Sequence, residues 1–469
     1  MSAAIRSVLS IALLLCLGRA PALGAAGGAP DRITVTFHGD AASARGFTWY
    51  TSTSAPGSDL QVVPASGAAP DFSGAAGFTG RAYAPRNSAA ELAHKAEASG
   101  LKPATSYYFR VGDSARGVWS ASGSFVTAPL SGPFTFLDAA DPQAKTKEEC
   151  ALSAATIAKA FTAVPGAAFL ALNGDTVDKG DEEDQWRTLL GLAAPELTHT
   201  TLLPVAGNHE AQRDAFIDHF DVKPAPGSAV KSGAYYSTDY SNTHFIVLNT
   251  NESSWPYADL SRAQVRWLKD DAAAARARGA DWLIVLLHKG PYTTSWHSTD
   301  PDIAGRRGVR TKIAPLLAGL GVDLVLQGHD HIYARTKPLA ASGKAVPAVT
   351  EAGTFGGEKL DYYVSPGAPV YLIPSSAGAK VYDRNKNEGP EYYDLFERAE
   401  EQHAAAHGRD PKRPENPVRG YVQDFTAVTI DGRRLTAVSY EIDKTRDGGR
   451  PFVMDRFGIL KSGAPATGR

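Results

Sequence analysis

The chain has 469 residues, enough for two or three domains with a sizeable buried core. Its 48 Lys and Arg against 50 Asp and Glu leave a formal charge of −2, and no block of basic residues marks a nucleic-acid footprint. Two cysteines, Cys16 and Cys150, exclude a disulfide-stapled scaffold, so stability has to come from the core.

Arg6, the apolar run Val8 to Leu17 and the small residues around Ala22-Leu23-Gly24-Ala25 read as a secretory signal peptide over residues 1–24. The apolar part is too short to span a bilayer as a mature helix, and an uncleaved anchor is the alternative. The expectation is a mature chain starting near Ala25, secreted or held in the cell envelope or periplasm, with no membrane span. Cys16 follows three leucines, which does not make a lipoprotein cleavage site, and only Cys150 would remain after processing.

Residues 31–128 predict an all-β sandwich. Ile33, Val35 and Phe37 alternate with polar residues, as do Phe47, Trp49 and Thr51, and later Tyr107, Phe109 and Val111. The stretch Leu101-Lys102-Pro103-Ala104-Thr105-Ser106-Tyr107 resembles the tyrosine corner of fibronectin type III modules, with Tyr107 as the corner residue. A linker follows at Ala128-Pro129-Leu130-Ser131-Gly132-Pro133.

From residue 133 to 469 strands alternate with helices. Thr146 and Glu149 form a capping-box pair ahead of an alanine-rich segment ending near Val164, and Ser261 with Gln264 opens a helix to about Arg278. Tyr235 to Tyr240 and His244 to Asn249 predict a hairpin turning at Ser241-Asn242. Pro366 to Ile373 and Tyr421 to Tyr440 restore strand character. Between them residues 385–417 are polar and charged, with a helical patch near Tyr393 to Ala406, and read as a solvated insertion; a lid or partner-binding surface is the alternative. The pattern is α/β, a layered sandwich of sheets flanked by helices.

Five apolar runs in this region end in chemistry-bearing residues. Ala167 to Leu172 runs into Asn173-Gly174-Asp175, Phe134 to Leu137 into Asp138-Ala139-Ala140-Asp141-Pro142-Gln143, and Leu202 to Ala206 into Gly207-Asn208-His209-Glu210. Trp282 to Leu287 ends at His288, and Leu324 to Gln327 at Gly328-His329-Asp330-His331. Buried strands of an α/β sheet present their carboxyl ends to ligands. Carboxylate, amide and imidazole delivered together suit Fe, Mn or Zn better than Ca or Mg, and the composition is that of a two-metal site bridged by Asp175. Asp175 follows Asp141 by 34 residues and Asn208 follows Asp175 by 33, about one βα unit per ligand.

These motifs, in this order, resemble the calcineurin-like metallophosphoesterases, and more narrowly the purple acid phosphatase-like branch with an N-terminal fibronectin-like domain. The resemblance covers nearly the whole mature chain and implies an αββα sandwich. It also implies that Asp141, Asp175 and His331 hold the first metal and Asp175, Asn208, His288 and His329 the second. Two positions depart from the family. Purple acid phosphatases place a tyrosine ligand of ferric iron three residues after the bridging aspartate, where this chain has Asp178. Other branches place a histidine two residues after the first aspartate, where this chain has Gln143, whose carbonyl could ligate a hard metal instead. Asp178 is expected to orient its loop through hydrogen bonds.

The resemblance further implies hydrolysis of a phosphorylated small molecule, with two metals about 3.5 to 4 Å apart activating a bridging water. His209 and His297 match the substrate-facing histidines, as contacts to phosphate or as general acid. Asn208, and with them Tyr292 and Lys289, are further candidate substrate contacts. The leading reading is an exported phosphomonoesterase. A phosphodiesterase or nucleotidase is the nearest alternative, and a non-catalytic adhesion or binding protein is the contrasting class. The sequence leaves oligomeric state open.

Overall fold

Runs of apolar residues too long to alternate become strands covered on both faces, and that sets the layering. A computed structural model describes residues 28–462 apart from 68, 212–213, 229, 253–259 and 400–402, so the proposed signal peptide lies outside the described residues. Phe134–Ala139, Leu170–Asn173 and Leu202–Val205 are parallel neighbours in one sheet, extended antiparallel by Val422–Asp431, Arg434–Asp443 and Phe452–Leu460. Thr243–Leu248, Trp282–Lys289, Leu324–Gly328 and Val370–Ile373 run parallel in the second.

Side-chain alternation explains how the two sheets stack. Ile284 and Leu286 join Phe136, Leu170 and Leu202 in the core between the sheets. Leu283, Val285 and Leu287 point the other way, into a second core with Leu268 and Ala272 of the helix Arg262–Ala277. On the far side Ile157 and Trp186, from helices Lys147–Ala163 and Glu183–Leu192, cover the first sheet. The result is the αββα sandwich. Thr146 caps its helix through the full capping box and Ser261 accepts from the Gln264 amide, so both helix starts fall where expected. The hairpin Tyr236–Tyr240 to Thr243–Leu248 also forms. Cys150 is buried and unpaired. Among the described residues no helix is long and apolar enough to cross a membrane.

The N-terminal region is an all-β sandwich whose core gathers Val35, Phe47, Trp49, Phe109 and Phe125. Tyr107 makes its corner contact, its hydroxyl accepting from the Lys102 amide at 2.9 Å. The sandwich does not stand apart as its linker suggests: Asp31–Thr36 pairs in parallel with Leu202–Val205, so one sheet of twelve strands runs through both regions among the described residues. Arg32, fully buried, braces the join with ion pairs to Glu91 and, at 2.6 Å, to Glu183.

The segment 385–417 corrects the expectation. Among the described residues of the segment, helical turns occupy only Pro390–Tyr393 and, as a 3-10 turn, His403–His407, while Phe396–Ala399 is a strand paired with Ala334–Thr336 at the sheet edge. An apolar side chain, Phe396, finds a core on that edge, and burial there overrides local helical composition. Nor is the segment simply solvated. Buried Asn385 donates to Ser298 at 2.9 Å, and the Tyr392 hydroxyl donates to the Thr293 carbonyl at 2.7 Å, so it buttresses the loop that carries His297.

Candidate metal centre

The five strand ends of both sheets open on one edge of the sandwich. There the chain turns sharply: Asp141, Gln143, Asp175 and His329 all adopt left-handed conformations, at φ 55°, 36°, 48° and 71°. Such strain in non-glycine residues persists only where surroundings hold it, and it clusters at functional sites. The loops are packed so closely that Gly207 has no room for a side chain, since a Cβ would collide with the backbone nitrogen and carboxylate of Asp175. Glu210 clamps two of them together. Its buried carboxylate accepts from the amides of Asp175 (2.8 Å), Thr176 (2.6 Å) and Gly207 (2.8 Å).

Asp141 is anchored by the His329 amide and the Ser375 hydroxyl, both at 2.9 Å. Asp175 accepts from the His209 amide at 3.0 Å through one carboxylate oxygen, and the other lies 3.2 Å from His288 Nε2. His288 Nδ1 donates to the Asn173 carbonyl at 3.0 Å. That commits Nδ1 as a donor and leaves Nε2 without a hydrogen-bond partner, facing a carboxylate. His329 Nδ1 lies 2.9 Å from Asn208 Oδ1, and His331 Nδ1 lies 3.2 Å from Ser376 Oγ, whose proton goes to the Asp141 carbonyl. The His331 ring therefore also carries its proton on Nδ1, whereas His329 Nδ1 and Asn208 Oδ1 stand at the spacing of two donors that could share one ion. One ligand atom each from Asp175, His288 and His329 lies within 4.8 Å of the other two.

Electrostatics point the same way. Burial alone would raise Asp175, but His288 and His209 outweigh it and hold its carboxyl well below the usual range. Asp141, buried beside Asp175, is pushed up to about 7. Burial opposes charge on His288, yet the carboxylates of Asp175 and Asp141 win and push it up to about 10. The pocket thus favours positive charge between imidazole and carboxylate, which a divalent or trivalent metal supplies. Burial keeps His329 and His331 well below the ordinary histidine value, neutral as ligands must be. Donor type, tautomer and charge all fit a metal centre.

The comparisons agree with that geometry. The model of the calcineurin-like phosphoesterase family matches residues 140–333, and that of the purple acid phosphatase N-terminal domain matches residues 30–127. The chain carries a calcineurin-like metallophosphoesterase domain behind a purple acid phosphatase N-terminal domain. Purple acid phosphatase 22 of Arabidopsis thaliana is 27% identical over 52% of this chain and 54% of its own, so the chain spans about half the length of that relative. Acid phosphatase type 7 of Homo sapiens is 26% identical over 78% of this chain and 82% of its own. The structure of purple acid phosphatase PPD1 from yellow lupin seeds superimposes with a TM-score of 0.66 at 16% identity, covering 93% of this chain and 75% of that one. At that identity the likeness is one of fold.

Of the residues singled out in the sequence, Asp141, Asp175, Asn208, His288, His329 and His331 are brought together, and His209 lies beside them. His297 joins from its own loop, its ring 4.7 Å from that of His329, with Nδ1 held by Asp300 at 2.6 Å. Gln143 reaches the site, but its carbonyl oxygen accepts from the Lys380 ammonium at 2.7 Å rather than pointing into the ligand set. Tyr292 is not brought in. It is 2% exposed and packs on Tyr371 in the helix-side core, because its loop turns inward before Trp296 emerges. Lys289 is likewise buried, paired with Asp302. The Asp178 carboxylate lies 3.4 Å from Gln143 Nε2 and 3.5 Å from Lys145 Nζ, and its backbone carbonyl receives His209 Nδ1. Sequence reasoning missed the roles of Glu210, Asp300, Ser375, Ser376 and Lys380. The first two sit within three residues of a named histidine, a signal that could have found them; the last three follow a strand with no motif of its own.

Proposed function

We propose that this protein is a dinuclear-metal-dependent phosphatase acting on phosphomonoesters. The observation that carries the reading is the buried Nε2 of His288, without a hydrogen-bond partner and facing the Asp175 carboxylate, at the edge where six donors from five strand ends converge. Asp141, Asp175 and His331 would hold one ion and Asp175, Asn208, His288 and His329 the other, Fe, Mn or Zn by donor type. Two such ions supply an attacking water of lowered pKa and neutralise the phosphoryl oxygens. The chain's own part is to fix those ligands and to handle the leaving group's proton. His297 suits the proton transfer, since Asp300 holds Nδ1 and leaves Nε2 to protonate the departing oxygen as the phosphorus–oxygen bond breaks. His209 does not, because its Nδ1 is given to the Asp178 carbonyl and its Nε2 lies 2.7 Å from the Gln143 amide nitrogen.

One observation favours nucleotides as a substrate class. Trp296 is 41% exposed beside Tyr382, with ring centroids 5.9 Å apart, an aromatic surface next to His297 on which a base could stack. Metal analysis of the purified protein, with hydrolysis of p-nitrophenyl phosphate, a nucleoside monophosphate and bis(p-nitrophenyl) phosphate, tests the reading. Two metals per chain and faster monoester turnover are expected. A metal-free, inactive protein would instead support a binding role. Export follows from the N-terminal pattern and is tested by N-terminal sequencing, with a start near Ala25 expected.

A further inference from the structure

The two places where the chain departs from its family meet in one connected group. Lys380 Nζ donates to Gln143 Oε1 at 2.7 Å. Gln143 Nε2 donates to His209 Nε2 at 2.7 Å and reaches Asp178 Oδ1 at 3.4 Å. His209 returns its Nδ1 proton to the Asp178 carbonyl. The order is directional: a proton on Nδ1 makes Nε2 an acceptor, so the Gln143 amide must donate there and its oxygen must face the lysine. The ammonium therefore stands one amide group away from His209; burial works against its charge, and the fields of Asp175, Asp178 and Asp141 act to keep it.

This is not a loosely held surface lysine. The segment that carries it follows the strand Val370–Ile373 and is seated on the Asp141 loop. Ser375 and Ser376 bond to Asp141, the Ala377 amide donates to the Ala140 carbonyl at 2.8 Å, and a Cβ at Gly378 would collide with the Pro142 carbonyl. We propose that Lys380 is a phosphate-binding residue of this site, a fixed cation that takes a terminal oxygen of the substrate's phosphoryl group beside the first metal position. The chemistry matches: an ammonium has three donors, Gln143 takes one, and a phosphoryl group brings negative charge on three terminal oxygens. Gln143 on this view positions the lysine and is not itself a metal ligand. The proposal rests on the phosphatase reading above.

The test uses full-length protein with its natural metals. Wild type, Lys380→Met and Lys380→Arg are compared for metal content by mass spectrometry, for inorganic phosphate binding by calorimetry, and for kcat and KM on p-nitrophenyl phosphate. Lys380→Met should keep both metals, bind phosphate about tenfold or more weakly and raise KM by a similar factor; Lys380→Arg should restore most of the affinity. Should the methionine variant fail to fold, Lys380→Gln serves in its place. Unchanged phosphate affinity in the charge-free variant overturns the proposal, and so does loss of metal, which would make the lysine a support of the ligand set. A wild type that neither binds phosphate nor hydrolyses the ester overturns the phosphatase reading itself, an outcome the control separates from the first two.

Discussion

His94 lets an acid limit to stability be worked out. It is fully buried in the strand Glu91–Ala98, stacked on Trp49 at 5.1 Å, with Thr51 Oγ1 at 2.7 Å on one ring nitrogen and Ser58 Oγ at 2.9 Å on the other. Burial, only partly opposed by Asp113, lowers its pKa from 6.5 to about 4. Between those values the unfolded chain binds a proton that the folded chain refuses, so stability is lost as pH falls through this window. Taking the sandwich from about pH 7.5 to about pH 4 should cost about 3 kcal/mol from this residue alone. That is a large share of the stability of a typical domain. His94→Gln keeps polar atoms at both contacts and cannot titrate. Urea unfolding followed by tryptophan fluorescence, wild type against variant at each pH, cancels every other titrating group. The stability difference between the two proteins should move by about 3 kcal/mol in favour of the variant across the range. Parallel curves would refute the reasoning.

Asp175→Ala should abolish turnover and release most of both metals, whereas Asn208→Ala should deplete mainly one, because only the aspartate is shared; metal counting on the two purified variants decides it. His297→Ala should lower kcat by about 10²- to 10⁴-fold on an alkyl phosphate and far less on p-nitrophenyl phosphate, whose leaving group needs no proton. Asp300→Asn should give a smaller loss with the same leaving-group pattern, and equal losses on both esters would argue against the acid role. The family's purple colour comes from a tyrosinate on ferric iron, and Asp178 stands at that position, so iron-loaded protein should be colourless or pale. Tyr333 cannot substitute, since its hydroxyl is held by Asp455 and Ser439. A strong visible band that vanishes in Tyr382→Phe, whose ring lies 4.8 Å from that of His331, would overturn that expectation.

The apolar runs and the residues that follow them sufficed to bring the proposed ligands to one edge of the sandwich. Each buried strand is a local pattern, and Asp141, Asp175, Asn208, His288, His329 and His331 sit at fixed offsets from such strands, so the sheet's own geometry carries them to one edge. The capping residues Thr146 and Ser261, and the Tyr107 corner, were legible for the same reason, as contacts over three to five residues. Tertiary structure decided the rest. Tyr292 and His297 are five residues apart on one loop, and only packing against Tyr371 sends the first into the core and leaves the second beside His329. Phe396 became a strand residue because a sheet edge beside Ala334–Thr336 was open to it. Lys380 meets Gln143 across 237 residues of chain, and no spacing foretells such a contact, because it depends on how the loop after Val370–Ile373 settles on the Asp141 loop.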